Sequence, residues 1–208
     1  MCNDPLVSVG GTAAYQDDKD LPPLVVRAVA LAVERGFEYS CLPAQGRLLQ
    51  VLARARRGGR IGETGTGCGV GLAWIVSAVD RAGTIVSAEI DAERAAAVQE
   101  LFRDYPNVRV LSSNWKALED HAPFDLLVLD GGGTGKHPPV DAERADPAKL
   151  LAPGGTLVMD DFGPPIGWPR RMDGQVDTAR MAWLQHPELL ATEIPVTGDM
   201  TAIVAMRR

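Results

Sequence analysis

A chain of 208 residues, 46% hydrophobic and 23% charged, has the make-up of one globular domain (1–208) with a sizeable core. Its formal net charge of -6 excludes a broad nucleic-acid or anionic-membrane surface, because both need clustered Lys and Arg. No basic, apolar leader and no apolar run of about 18 residues occurs, so a cytoplasmic protein is expected, and Cys2, Cys41 and Cys68 are too scattered for a disulfide framework or a zinc site.

Residues 1–20 are polar, carry Gly10-Gly11 and a Asp-Asp-Lys-Asp run, and read as a flexible arm. Apolar residues at helical spacing predict helices over 24–35 and 45–57. Beyond them, apolar and β-branched runs predict strands at 60–63, 84–90, 108–112, 124–129 and 156–159, separated by helices over 91–104 and 141–151. Two further runs, 192–195 and 201–206, flank Thr-Gly-Asp and read as a hairpin. The fold expected is α/β: a Rossmann-like, mostly parallel seven-stranded sheet with helices on both faces and a C-terminal antiparallel hairpin. Such sheets bind ligands beyond the carboxyl ends of their strands.

Two glycine-rich stretches fall at such ends. In Leu-Asp-Gly-Gly-Gly-Thr-Gly-Lys-His, from Leu129 to His137, the place of a P-loop's leading glycine is taken by Asp130 and that of its Ser/Thr by His137. A carboxylate there repels phosphate, so a P-loop is excluded. Earlier, Glu63, Gly65, Gly67 and Gly69 are spaced acidic-x-Gly-x-Gly-x-Gly, whereas a dinucleotide fingerprint needs a glycine where Val70 or Leu72 stands. Glu89 ends the next strand 20 residues after Gly69, where a carboxylate is suited to ribose hydroxyls. The third strand ends Ser-Ser-Asn-Trp, in which Asn114 offers a polar edge and Trp115 a flat face to a base.

These motifs, with Pro-Phe-Asp-Leu-Leu-Val-Leu-Asp ending at Asp130 and Leu-Leu-Ala-Pro-Gly-Gly-Thr-Leu-Val ending at Val158, resemble those of the class I S-adenosylmethionine-dependent methyltransferases, and within them the small bacterial and catechol-type O-methyltransferases. The resemblance covers most of the chain from about residue 42. It implies a cofactor site of Glu63, Gly65, Thr66, Gly67, Gly69, Glu89, Ile90, Asn114, Trp115 and Asp130. It also implies a divalent metal, Mg²⁺ or a similar ion, held by Asp130, Asp160 and Asp161, since close carboxylates at neighbouring strand ends repel unless a cation joins them.

The catalytic candidates are Asp130, Lys136 and His137. In the family a lysine follows the strand-four aspartate by three residues; here Gly133 holds that place and Lys136 comes later, so the base stays open between Lys136 and His137. The implied partners are a small hydroxylated substrate, capped by residues 21–58 and 163–175, and a second copy of the chain in a homodimer. Within 163–175, Trp168 offers a stacking face and Arg170 or Arg171 a cation for an acidic group. A methyltransferase acting on nitrogen, carbon or a macromolecule, and a non-catalytic cofactor-binding homodimer, are the alternatives.

Overall fold

The computed structural model describes residues 10–136 and 143–208. Helix α1 (Pro23–Glu34) begins with a proline, whose missing N–H costs nothing in a first turn, and buries Leu24, Val25, Ala28 and Ala32 along one face. Helix α2 (Pro43–Ala55) starts the same way and buries Leu49 and Ala53. Strand β1 (Arg60–Thr64) then enters the interior and passes through Gly65–Gly69 into α3 (Val70–Val79). Eight of the ten residues of α3 are buried, because α1 and α2 cover the side of it that the sheet does not.

Strand β2 (Thr84–Glu89), helix α4 (Ala92–Leu101) and strand β3 (Val108–Ser112) follow, and a short 3-10 turn (Trp115–His121) leads into β4 (Phe124–Leu129). Asp91 caps α4, accepting from the N–H groups of Glu93 and Arg94, which is why the helix starts there. After α5 (Pro147–Leu150) come β5 (Leu151–Phe162), a two-stranded ribbon of β6 (Arg171–Met172) and β7 (Gln175–Val176), α6 (Thr178–Leu184), β8 (Leu189–Pro195) and β9 (Thr201–Arg207).

The large sheet has the order β3-β2-β1-β4-β5-β9-β8. Its first five strands are parallel, while β9 runs antiparallel to both β5 and β8. The expected fold class is therefore the observed one. Along β4, Leu126 and Val128 face the core under α1–α4, whereas Leu127 and Leu129 face a second core with Leu118, Leu150 and Trp183. That alternation is the period-two signature of a sheet covered on both sides.

The structure corrects three expectations. Thr12 and Tyr15, placed in a flexible arm, are buried, while Ala13, Ala14, Gln16, Asp17, Lys19 and Asp20 of the same segment are exposed. The helix expected over 141–151 is, among the described residues, only the four-residue α5, because Leu151 already pairs with Phe124 of β4. For the same reason β5 is longer than 156–159: its Pro153-Gly154-Gly155 reads as a turn but sits where the β4–β5 register shifts. The segment after β5 also contains α6, which the sequence reading did not place.

Candidate active site

The chain builds β2 and β3 to one side of β1 and β4 and β5 to the other, so the turns leaving β1 and β4 part in opposite directions and open a crevice between them. The two turns touch at glycines: a Cβ on Gly65 would lie 2.8 Å from Gly131 Cα, and one on Gly67 would lie 2.9 Å from the Phe37 ring. Gly65, Gly67 and Gly69 all have positive φ, +79°, +55° and +83°, the left-handed region that favours glycine.

Glu89, buried at the end of β2, reaches this turn. Its Oε2 accepts from the Gly67 N–H at 2.8 Å, and its Oε1 accepts from the Asp91 N–H at 2.9 Å and from Arg94 Nη2 at 2.8 Å. Glu63 lies beneath the turn. Its Oε2 accepts from Ser87 Oγ at 2.5 Å, and Ser87 Oγ lies 2.6 Å from Thr66 Oγ1. Burial pushes the Glu63 carboxyl up to about 8, against the opposing effect of the Ser87 hydrogen bond. A carboxylic acid therefore supports the turn from below.

Across the crevice stand Asp130, Asp160 and Asp161, whose nearest carboxylate oxygens lie within 4.8 Å of one another. Consecutive strand residues ordinarily face opposite sides, yet Asp160 and Asp161 converge. The reason is a bulge: β5 pairs with β9 through Met159↔Ile203 and then Phe162↔Thr201, setting two residues against one. Asp161 takes φ +57°, a conformation unfavourable for a non-glycine residue and typical of functional sites. Burial, and then Asp160 and Asp161, push Asp130 well above the usual carboxylate range. Asp160, only 3% exposed, is pushed up to about 6 by burial and then by Asp161, and its Oδ1 has no hydrogen-bond partner among the described residues. An orphaned buried oxygen within an all-oxygen donor set fits a hard divalent cation.

Both halves meet in one cavity of about 250 Å³, walled by Gly65, Gly67 and Glu89, by Asp130 and Asp161, and by Phe37, Tyr39, Cys41 and Arg94. A family model for a methyltransferase domain matches residues 63–162, from the carboxyl under the glycine turn to the end of β5. This stretch of the chain is similar to a methyltransferase domain. A protein of Mycobacterium sp. (strain JLS), named provisionally as an O-methyltransferase, is 28% identical over 194 residues, covering 85% of each chain. Among solved structures, an O-methyltransferase from Bacillus cereus in complex with S-adenosylhomocysteine superposes with a TM-score of 0.69 at 17% identity, covering 98% of this chain and 99% of that one. The O-methyltransferase of tomaymycin synthesis from Streptomyces achromogenes, in complex with S-adenosylmethionine, gives 0.68 at 20% identity, covering 100% and 99%. At these identities the superpositions establish the fold.

Most of the candidate residues gather at this crevice. Lys136, despite its displaced position, reaches the acidic rim: Nζ donates to the Asp160 carbonyl at 2.7 Å and lies 4.8 Å from the Phe162 ring centroid. Trp115 packs over the glycine run, where a Cβ on Gly132 would lie 2.4 Å from its ring. Asn114 spends its side-chain oxygen capping the 3-10 turn, accepting from the Lys116 N–H at 3.0 Å. Ile90 stands 77% exposed beside Glu89. His137 lies outside the described residues. Arg170, considered for an acidic ligand group, is instead paired with Glu193, which also holds Arg180. Phe37, Tyr39 and Cys41 fall within the 21–58 cap expected from the sequence without being singled out there, and Arg94, three residues after the α4 cap and bound to both Asp91 and Glu89, was missed.

Proposed function

We propose that this methyltransferase transfers a methyl group from S-adenosylmethionine to a hydroxyl of a small molecule, with a divalent cation at Asp130, Asp160 and Asp161. The observation that carries the reading is that the glycine turn, Glu89, Asp130 and Asp161 line one cavity, so a nucleoside-bearing cofactor and an acceptor oxygen can meet there. Bound there, the cofactor would supply a methyl group activated by a positively charged sulfur, which would leave as a neutral thioether when the methyl carbon bonds to the acceptor oxygen. Glu89 would take its ribose hydroxyls, and Gly65 and Gly67 would let the backbone close on it without a side chain between. Ile90 offers an apolar surface to the base, with Asn114 and Trp115 near the same rim.

A divalent cation supplies Lewis acidity that lowers the pKa of an acceptor hydroxyl. The three aspartates would hold it, and Lys136, whose nitrogen reaches the same rim, would take the acceptor proton as a neutral amine; His137 is the second candidate. A cation there would also offset the burial and the mutual repulsion that raise Asp130 and Asp160. The surface stripe of α1, with Val26 51% and Val33 66% exposed, supports a homodimer as part of the same proposal. No helix among the described residues is long and apolar enough to cross a membrane.

The test is incubation with S-adenosylmethionine and a panel of phenols, catechols and aliphatic alcohols, with and without Mg²⁺ or Mn²⁺, followed by mass spectrometry. A methylated oxygen product formed only with the metal supports the reading. Methylation of nitrogen or carbon acceptors alone, or transfer indifferent to chelator, discards it in favour of another acceptor class or a metal-free route.

A further inference from the structure

Phe37, Tyr39 and Cys41, one wall of the cavity, come from residues 37–42, which belong to no helix or strand. With no ladder of its own, such a stretch owes its position to whatever its backbone carbonyls bond. The partner here is the N-terminal segment. The Thr12 hydroxyl donates to the Phe37 carbonyl at 2.6 Å and lies 2.7 Å from Ser40 Oγ, while the Thr12 N–H donates to the Glu38 carbonyl at 3.3 Å. The Tyr15 hydroxyl donates to the Cys41 carbonyl at 2.8 Å and accepts from Trp74 Nε1 at 3.0 Å.

Each hydroxyl has a single proton, and the geometry uses it on a carbonyl of the wall. Burial raises the Tyr15 phenol above its ordinary range, so it remains a donor. The two anchors join three separate parts of the site. Trp74 belongs to α3, the helix that the glycine turn opens. Phe37 presses on Gly67, and the Arg94 guanidinium, paired with Glu89, stands 5.5 Å from the Phe37 ring centroid.

We propose that Thr12 and Tyr15 are positioning residues of the cofactor site: they fasten the 37–41 wall against the glycine turn and so set how tightly S-adenosylmethionine is held. This rests on the cofactor reading above. Neither residue lines the cavity, so their influence runs through Phe37 and Cys41 and falls on cofactor affinity.

The experiment uses the full chain with Tyr15→Phe and Thr12→Val, each removing a hydroxyl while keeping the shape of the side chain. The control is Leu189→Val, a core trim in β8 at the far edge of the sheet. Calorimetry with S-adenosylhomocysteine should show about three- to tenfold weaker binding for each anchor variant, the loss expected for one or two hydrogen bonds. Hydrogen–deuterium exchange should quicken at residues 38–41 in the same variants. The control should lower the melting temperature and leave affinity and exchange at 38–41 unchanged. Wild-type affinity in both anchor variants, or an equal loss in the control, overturns the proposal; should Tyr15→Phe fail to fold, Thr12→Val decides alone. A wild-type chain that does not bind S-adenosylhomocysteine overturns the cofactor reading itself, and this inference with it.

Discussion

The Glu89 carboxylate accepts the Gly67 N–H at 2.8 Å, so the end of β2 is tied to the turn that follows β1 before any ligand arrives. With its other oxygen held by Asp91 and Arg94, the carboxylate is oriented in advance, which reduces the ordering cost of binding. Replacing Glu89 with alanine should weaken S-adenosylmethionine binding by about 1–3 kcal/mol, the range for charged hydrogen bonds. Unchanged affinity by calorimetry would falsify the ribose role.

Gly67→Ala meets two obstacles, a φ of +55° and a Cβ 2.9 Å from the Phe37 ring. The backbone cost is about 1–2 kcal/mol, and the contact pushes Phe37 out of the wall. Denaturation should show the stability loss and calorimetry a weaker cofactor. Phe37→Ala should cost less affinity in the Gly67→Ala background than alone, because the two changes share one contact; strict additivity in the double variant would count against the packing argument.

Divalent binding should depend on pH in a defined direction. Asp160 is pushed up to about 6 by burial and Asp161, and a carboxyl must lose its proton before it ligates a cation. Apparent Mn²⁺ affinity should therefore rise as pH increases through about 6. Asp160→Asn should weaken Mn²⁺ binding by about tenfold or more and leave S-adenosylhomocysteine affinity near wild type. Paramagnetic resonance of free Mn²⁺ reads the first quantity; retention of tight Mn²⁺ binding by the variant would remove Asp160 from the site.

Glu63 affects stability with the opposite sign from a salt-bridged carboxylate. Its carboxyl, at about 8 when folded against an ordinary 4.5, holds a proton in the native state that the unfolded chain has already released. Stability from this group is thus complete below about pH 4.5 and is lost as pH rises toward 8. Glu63→Gln keeps an acceptor for Ser87 and removes that loss, so its melting temperature should exceed wild type above pH 8. Parallel melting curves for the two proteins across pH 5–9 would rule out a buried neutral acid.

Glu193 carries two arginines, Arg170 and the fully buried Arg180, and joins β8 to α6 and the segment after β5. Removing it strands a buried guanidinium. Glu193→Ala should cost about 3–5 kcal/mol in urea denaturation, whereas Arg171→Ala, on an exposed side chain, should stay within about 0.5 kcal/mol.

Much of this site was legible in the sequence because its parts are local. Gly65, Gly67 and Gly69 announce a turn through their spacing, Glu89 follows at the end of one strand, and Asp130 closes an apolar run that alternation places at a strand end. What the sequence by itself determined is the α/β order of elements and the strand rim on which these residues lie, since period and turn chemistry act within a few residues. The tertiary structure alone decided which of them meet. Asp160 and Asp161 share a rim only because β9 pairs with β5 through a bulge, and Lys136 arrives only because the glycine run folds it back to the Asp160 carbonyl. Phe37 and Tyr15 joined the site from a loop and an arm without periodicity. Their places depend on hydrogen bonds to residues 25 or more positions away, and no local pattern encodes such partners.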